Sequence, residues 1–283
     1  PRRPPAAGGA RCEQGSKMSI ALLAIASAAL IGQGSIFDQG PDTAVSSNVL
    51  SGMDAVLGEA ADIEGAEMSV GAVDLATGER ITAGRSGPMK FGNPQLMVAA
   101  CAVDLLLRGE ISLDDIPGGG QTISYLLSEN MKGRADPGVI LHYFIGADRF
   151  ESWLSEKGFH DTEYTDFRMH FPGAPEVEAS TSSIDDMLSM VETLGAGLDY
   201  PGIRRALHPG FPRGPEVLRN LEGVVAYGVP AYEEDGESIA AIGVMPDGSR
   251  IGLVAVAEDP CCRGKAELAF SMMWDELMRR QGL

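Results

Sequence analysis

The sequence predicts an α/β fold of the α+β sandwich kind: an antiparallel sheet built from both chain ends with flanking helices, plus an inserted all-helical lobe. Three observations point there. A strand pair is expected early, in EMSVGAVDLATGERITAG, and three strand candidates cluster late, in GVVAYGVPAY, SIAAIGVM and RIGLVAVAED. Between them, residues from about 95 to 215 carry helical apolar spacing. Strands at the two ends with helices between imply one sheet assembled where the ends meet, its faces covered by the first and last helices and the helical lobe set to one side.

In chain order, residues 1–46 read as a leader and linker, and residues 47–283 as the folded domain. Arg2, Arg3, Arg11 and Lys17 stand against Glu13 alone, and the apolar run MSIALLAIASAALI follows at 18–31. The run is shorter than the roughly 20 residues that span a bilayer comfortably. It fits the central segment of a secretory signal, with Ala26, Ser27 and Ala28 as the small residues of a cleavage site. The expectation is an exported or membrane-anchored protein at the cell envelope, with N-terminal membrane association; the alternative is a packed helix of a cytoplasmic protein. Gly, Pro, Asp and Ser punctuate residues 32–46, which read as linker.

Val49, Met53, Val56, Leu57, Ala60 and Ile63 recur at helical spacing over 48–63. Met68, Val70 and Ala72 then alternate along a strand, Thr77-Gly78 turns the chain, and Arg80 to Ala83 return as its partner. Leu96 to Leu107 is nearly continuously apolar, a helix buried on most sides. Helical patterns follow in TISYLLSENM, VILHYFIG, RFESWLSEKGF, SSIDDMLSMVETL and GIRRAL, with Ser182 or Ser183 as a cap. Asp247-Gly248 predicts the last hairpin, and KAELAFSMMWDELMRR closes the chain as an amphipathic helix whose basic end suits the helix dipole.

Composition narrows the function. Hydrophobic residues are 44% and charged residues 22%, so the bulk of the chain is expected to fold as a globule. The formal charge of -18 repels phosphate backbones, which argues against nucleic acid as a partner. Cys12, Cys101, Cys261 and Cys262 form no disulfide framework. His142, His160, His170 and His208 are scattered, so neither a metal site nor any other cofactor is expected.

From about residue 48 onward the sequence resembles the class A β-lactamases and penicillin-binding proteins. VGAVDLATGERI resembles their first hairpin, LMVAACAVDLLLRGEISLDD their nucleophile helix and its continuation, and IAAIGVMPDGSRIGLVAV their closing hairpin. In the family a serine and, three residues later, a lysine open the buried helix, because residues at i and i+3 share a face and the amine can take the hydroxyl proton. The resemblance places Gly92 at the serine position and Gln95 at the lysine position, with Asn93 and Pro94 between. Ala135, Asp136 and Pro137 stand in the Ser-Asp-Asn motif, where only the aspartate survives. Ala226, Tyr227 and Gly228, or Tyr227, Gly228 and Val229 in a register one residue later, stand where Lys-Thr-Gly belongs. Asp166, Glu176 and Glu178 are weak candidates for the loop carboxylate that activates water.

Nucleophile, base and anion-binding lysine are therefore missing together, and their chemistry is interdependent. The only lysines are Lys17, Lys90, Lys132, Lys157 and Lys265, and no Ser-x-x-Lys occurs. The expectation is a catalytically inactive protein of this fold, binding an unknown small molecule or peptide in an inter-lobe cleft lined by Gly92, Asn93, Gln95, Asp136, Tyr227 and Gly228. Two alternatives stand beside it. One is an enzyme with remodelled chemistry, a hydrolase, cyclase or isomerase of a biosynthetic pathway; the other is a structural or interaction protein of the envelope.

Overall fold

A computed structural model describes residues 49–91, 94–117, 119–164, 180–208, 225–232, 236–258 and 263–283, all within the unit Ser46–Leu283. The expected antiparallel sheet is present. Strands β1 (Glu67–Asp74), β2 (Arg80–Gly84), β5 (Val225–Tyr232), β6 (Gly236–Val244) and β7 (Arg250–Glu258) run in the order β2-β1-β7-β6-β5. The two chain ends join where β1 pairs with β7, Val70 lying opposite Ala255.

Alternation along the strands sorts the side chains between two cores. Met68, Val70 and Ala72 of β1 and Ile251, Leu253 and Ala255 of β7 face a cluster shared with α1 (Asp54–Ala61) and α8 (Lys265–Gln281). Val73, Val254 and Val256 face the opposite cluster, shared with α6 (Ile184–Gly197) and α2 (Gln95–Leu107). The first and last helices therefore lie on the same side of the sheet. Because both faces are covered, β1 is buried along all but its first residue, where a one-sided strand would alternate.

The second face accepts α6 closely because glycines meet it. A Cβ on Gly71 would stand 2.9 Å from Leu188 Cδ1, and one on Gly252 would stand 2.5 Å from Val191 Cγ1 and 2.7 Å from Val73 Cγ1. Beyond α6 lies α2, its apolar length buried as the sequence predicts. It stops at Gly109, whose φ of 69° is left-handed. There the N–H groups of Glu110 and Gly109 donate to the carbonyls of Leu105 and Leu106 at 2.9 and 3.1 Å, a Schellman closure.

The helical lobe adds α3 (Ile123–Asn130), α4 (Ala135–Ile145), α5 (Ala147–Lys157) and α7 (Pro201–Leu207). Thr122 caps α3 by accepting from Tyr125 N at 3.3 Å, and Ser183, one of the two expected serines, caps α6 by accepting from Asp186 N at 3.2 Å. Buried Asp104 ties α2 to α5: it accepts from Trp153 Nε1 at 3.2 Å and pairs with Arg108 and Lys157, each at 2.7 Å. On the other side of the sheet, fully buried Glu237 of β6 accepts from Gly264 N at 2.7 Å and Ala266 N at 3.3 Å. That places a carboxylate at the positive end of α8.

A second sheet, not anticipated from sequence, consists of β3 (Met89–Lys90) and β4 (Thr181–Ser182). Strands of two residues carry no readable period, and only the pairing of Met89 with Ser182 across the fold makes them visible. Among the described residues no helix is long and apolar enough to cross a membrane. Residues 18–31, with Cys12, Cys261 and Cys262, lie outside the described residues.

Candidate functional site

The start of α2 is held from three directions. Behind it, Phe91 is fully buried and its carbonyl accepts from Ser238 Oγ of β6 at 2.7 Å. Just before Phe91, β3 is locked to β4, with Lys90 opposite Thr181. From the helical lobe, Asn130 at the end of α3 donates Nδ2 to the main-chain oxygen of Gln95 at 3.0 Å. Sheet, small sheet and lobe thus converge on the turn where the sequence resemblance sets the family's nucleophile and base.

Gln95 is the first residue of α2 and is fully buried. Its Nε2 and Oε1 have no hydrogen-bond partner among the described residues, nor does Oδ1 of buried Asn130 beside it. Buried polar groups are nearly always paired, and each exception costs about 1–3 kcal/mol. Three such atoms on two neighbouring amides mark this junction as polar. Pro94 precedes the helix, where its missing N–H removes nothing the helix would use.

Gly228 is buried in β5 opposite Ala241, and a Cβ there would stand 2.8 Å from the carbonyl oxygen of Ala240. Tyr227 pairs opposite Ile242 in the same strand. Because β5 is an edge of the sheet, Pro230 is accommodated opposite Ile239 without breaking an interior ladder. Asp136 is exposed in the first turn of α4, where its charge suits the helix dipole, but no side-chain cap bond forms there. It lines a cavity between α3 and α4. Gly92, Asn93, Asp166, Glu176 and Glu178 lie outside the described residues.

Other reactive groups are occupied. Lys132 pairs with Glu129, Lys157 with Asp104 at 2.7 Å, and Lys265 donates to the carbonyl of Glu64 at 2.5 Å. Burial, then the charge of Asp104, pushes the Cys101 thiol far above its ordinary value, which disfavours its thiolate. No cluster of metal-ligating side chains occurs among the described residues. Sequence reasoning missed Asn130 and Ser238, which hold the helix start in place. Asn130 ends an apolar helical pattern and Ser238 lies in a strand pattern, so neither gives a local signal.

Neither a family model nor a curated protein matches the sequence. Solved structures do. A β-lactamase from Sphaerobacter thermophilus is similar at 15% identity and a TM-score of 0.62, covering 83% of this chain and 98% of its own. One from Xanthomonas campestris pv. campestris reaches 18% identity and 0.62, over 82% and 97%. One from Chitinophaga pinensis reaches 15% identity and 0.61, over 83% and 100%. At identities so low the likeness shows the fold alone: this chain has the fold of these β-lactamases, as it has that of a resurrected ancestral class A enzyme at 16% identity and a TM-score of 0.62.

Proposed function

We propose that this chain, built on the class A β-lactamase fold, is a catalytically inactive binder of a small molecule or peptide at the start of α2. The observation that carries the reading is Gln95. An amide stands where the family's resemblance sets a general base, and an amide takes no proton at neutral pH. Lys132, Lys157 and Lys265 have other partners, and the Cys101 thiol is held protonated.

What the junction offers instead is hydrogen bonding. Gln95 presents a donor and an acceptor and Asn130 an acceptor, all uncharged. Such a set matches a neutral polar group, an amide or a hydroxyl, better than the carboxylate the family attracts with lysine. A buried amide that pairs only on binding discriminates strongly, because an analogue lacking the matching group leaves it unpaired. Fold alone would not select this reading, since one fold carries many functions.

The test is the intact mass of the folded protein after incubation with a penicillin and, separately, a cephalosporin. No added mass, with native circular dichroism, is the expected result. A stoichiometric adduct overturns the inactive reading, and its position names the replacement nucleophile. We also place the protein at the cell envelope, on the basic start and apolar run of residues 1–31. Cell fractionation is expected to find it with periplasm or membrane, and recovery in the cytosol alone would reject that placement.

A further inference from the structure

We propose that the cavity between α3 and α4 is a second binding site, for a small zwitterion of amino-acid to dipeptide size. The cavity measures about 510 Å³, within the range of small-molecule pockets. Neither Gln95 nor Gly228 lines it, so it does not depend on the reading of the α2 junction.

Its lining is divided by chemistry. Tyr125, Pro137 and Ile140 form an apolar wall; Glu129, Arg134 and Asp136 supply charge. Glu129 is nearly buried, its side chain 8% exposed, and is neutralised by ion pairs with Lys132 and Arg134. Lys132 also pairs with Glu129, so Arg134 is not its sole counter-charge, and the Arg134 side chain is 62% exposed. Guanidinium donors remain for a second anion, and a carboxylate fits that fork. Asp136, one residue beyond Ala135, is exposed and has no ion-pair partner among the described residues.

Opposite charges two residues apart at one cavity select by sign. An anion without a cation meets Asp136 and the strongly acidic protein around it; a cation without an anion meets Arg134. A molecule carrying both satisfies both, its ammonium toward Asp136 and the face of Tyr125, its carboxylate toward Arg134, and its apolar side chain along Pro137 and Ile140. At this volume the two charges must sit within one or two residues of each other. A free amino acid or dipeptide carries both charges at that spacing on its own termini.

Calorimetric titration of the full chain tests the proposal with L-leucine and leucyl-leucine as zwitterions, leucinamide as the cation and N-acetylleucine as the anion. At least one zwitterion is expected to bind, and to bind at least about tenfold more tightly than either single-charge analogue. Arg134→Gln and Asp136→Asn are each expected to weaken that binding by about tenfold or more. Both side chains are exposed, and Lys132 keeps Glu129 paired in the first variant, so circular dichroism is expected to stay native. Arg279→Gln, on α8 across the sheet, is the control that leaves binding unchanged. Absence of binding by both zwitterions, equal binding of leucinamide or N-acetylleucine, or full binding by both cavity variants would each overturn it.

Discussion

Replacing Gln95 with methionine keeps the length and flexibility of the side chain while deleting both amide atoms. In the native protein Nε2 and Oε1 are buried and unpaired among the described residues. Mutational scales put one unpaired buried amide at about 1–3 kcal/mol. The tie to α3 survives the change, because Asn130 donates to the main-chain oxygen of residue 95. Gln95→Met is therefore expected to stabilise the fold by about 1–3 kcal/mol, which at about 2–4 °C per kcal/mol is a rise of roughly 2–12 °C in Tm. Urea denaturation followed by circular dichroism, with thermal melting beside it, measures the change. Stabilisation on removing a polar group is the mark of a residue kept for binding, since functional sites hold groups that folding alone would not choose. A loss of more than about 1 kcal/mol would refute the reasoning, because it would show the amide already satisfied within the fold.

Three further outcomes follow from the geometry. Glu237→Ala removes the carboxylate that accepts from Gly264 N and Ala266 N; urea denaturation is expected to show a loss of about 2–4 kcal/mol, and Glu237→Gln a smaller one because an oxygen acceptor remains. Gly252→Ala sets a methyl 2.5 Å from Val191 Cγ1 and is expected to cost about 1–3 kcal/mol as α6 is pushed off the sheet; an unchanged Tm would argue against tight packing there. Burial raises the pKa of Asp186, so the folded state holds that proton more tightly than the unfolded chain, and the charge costs stability above the folded pKa. Asp186→Asn, whose amide oxygen can keep the bonds from Thr162 and from the Asp161 N–H, is expected to exceed the native protein in stability at neutral pH. The gap is expected to narrow as pH falls through the folded pKa, and a gap that is constant with pH would reject that account.

The candidate site was drawn from residue identity alone. Gly92 and Gln95 could be set against the family's serine and lysine because LMVAACAVDLLL is an unmistakable buried helix with a turn before it. What was not legible was the support. Ser238 reaches Phe91 across 147 positions and Asn130 reaches Gln95 across 35, and neither contact leaves a mark in local pattern. Asp136 shows the converse case. Its survival in a motif position says nothing of its neighbours, and only the fold shows that it lines a cavity of the lobe with Arg134.

The sequence by itself determined the longer elements and their kinds. Period-two runs at both ends, a central set of helical periods, and turn residues such as Asp247-Gly248 are local chemistry, and the structure repeats them. Tertiary structure decided which faces those elements share. It set α1 and α8 together on one side of the sheet and α6 on the other. It paired β3 with β4, strands too short to carry a period. It also left three amide atoms of Gln95 and Asn130 buried without partners among the described residues. Local patterns reflect the nearest few residues, whereas packing, pairing and polar satisfaction depend on groups brought together from distant parts of the chain, and only the folded chain supplies those neighbours.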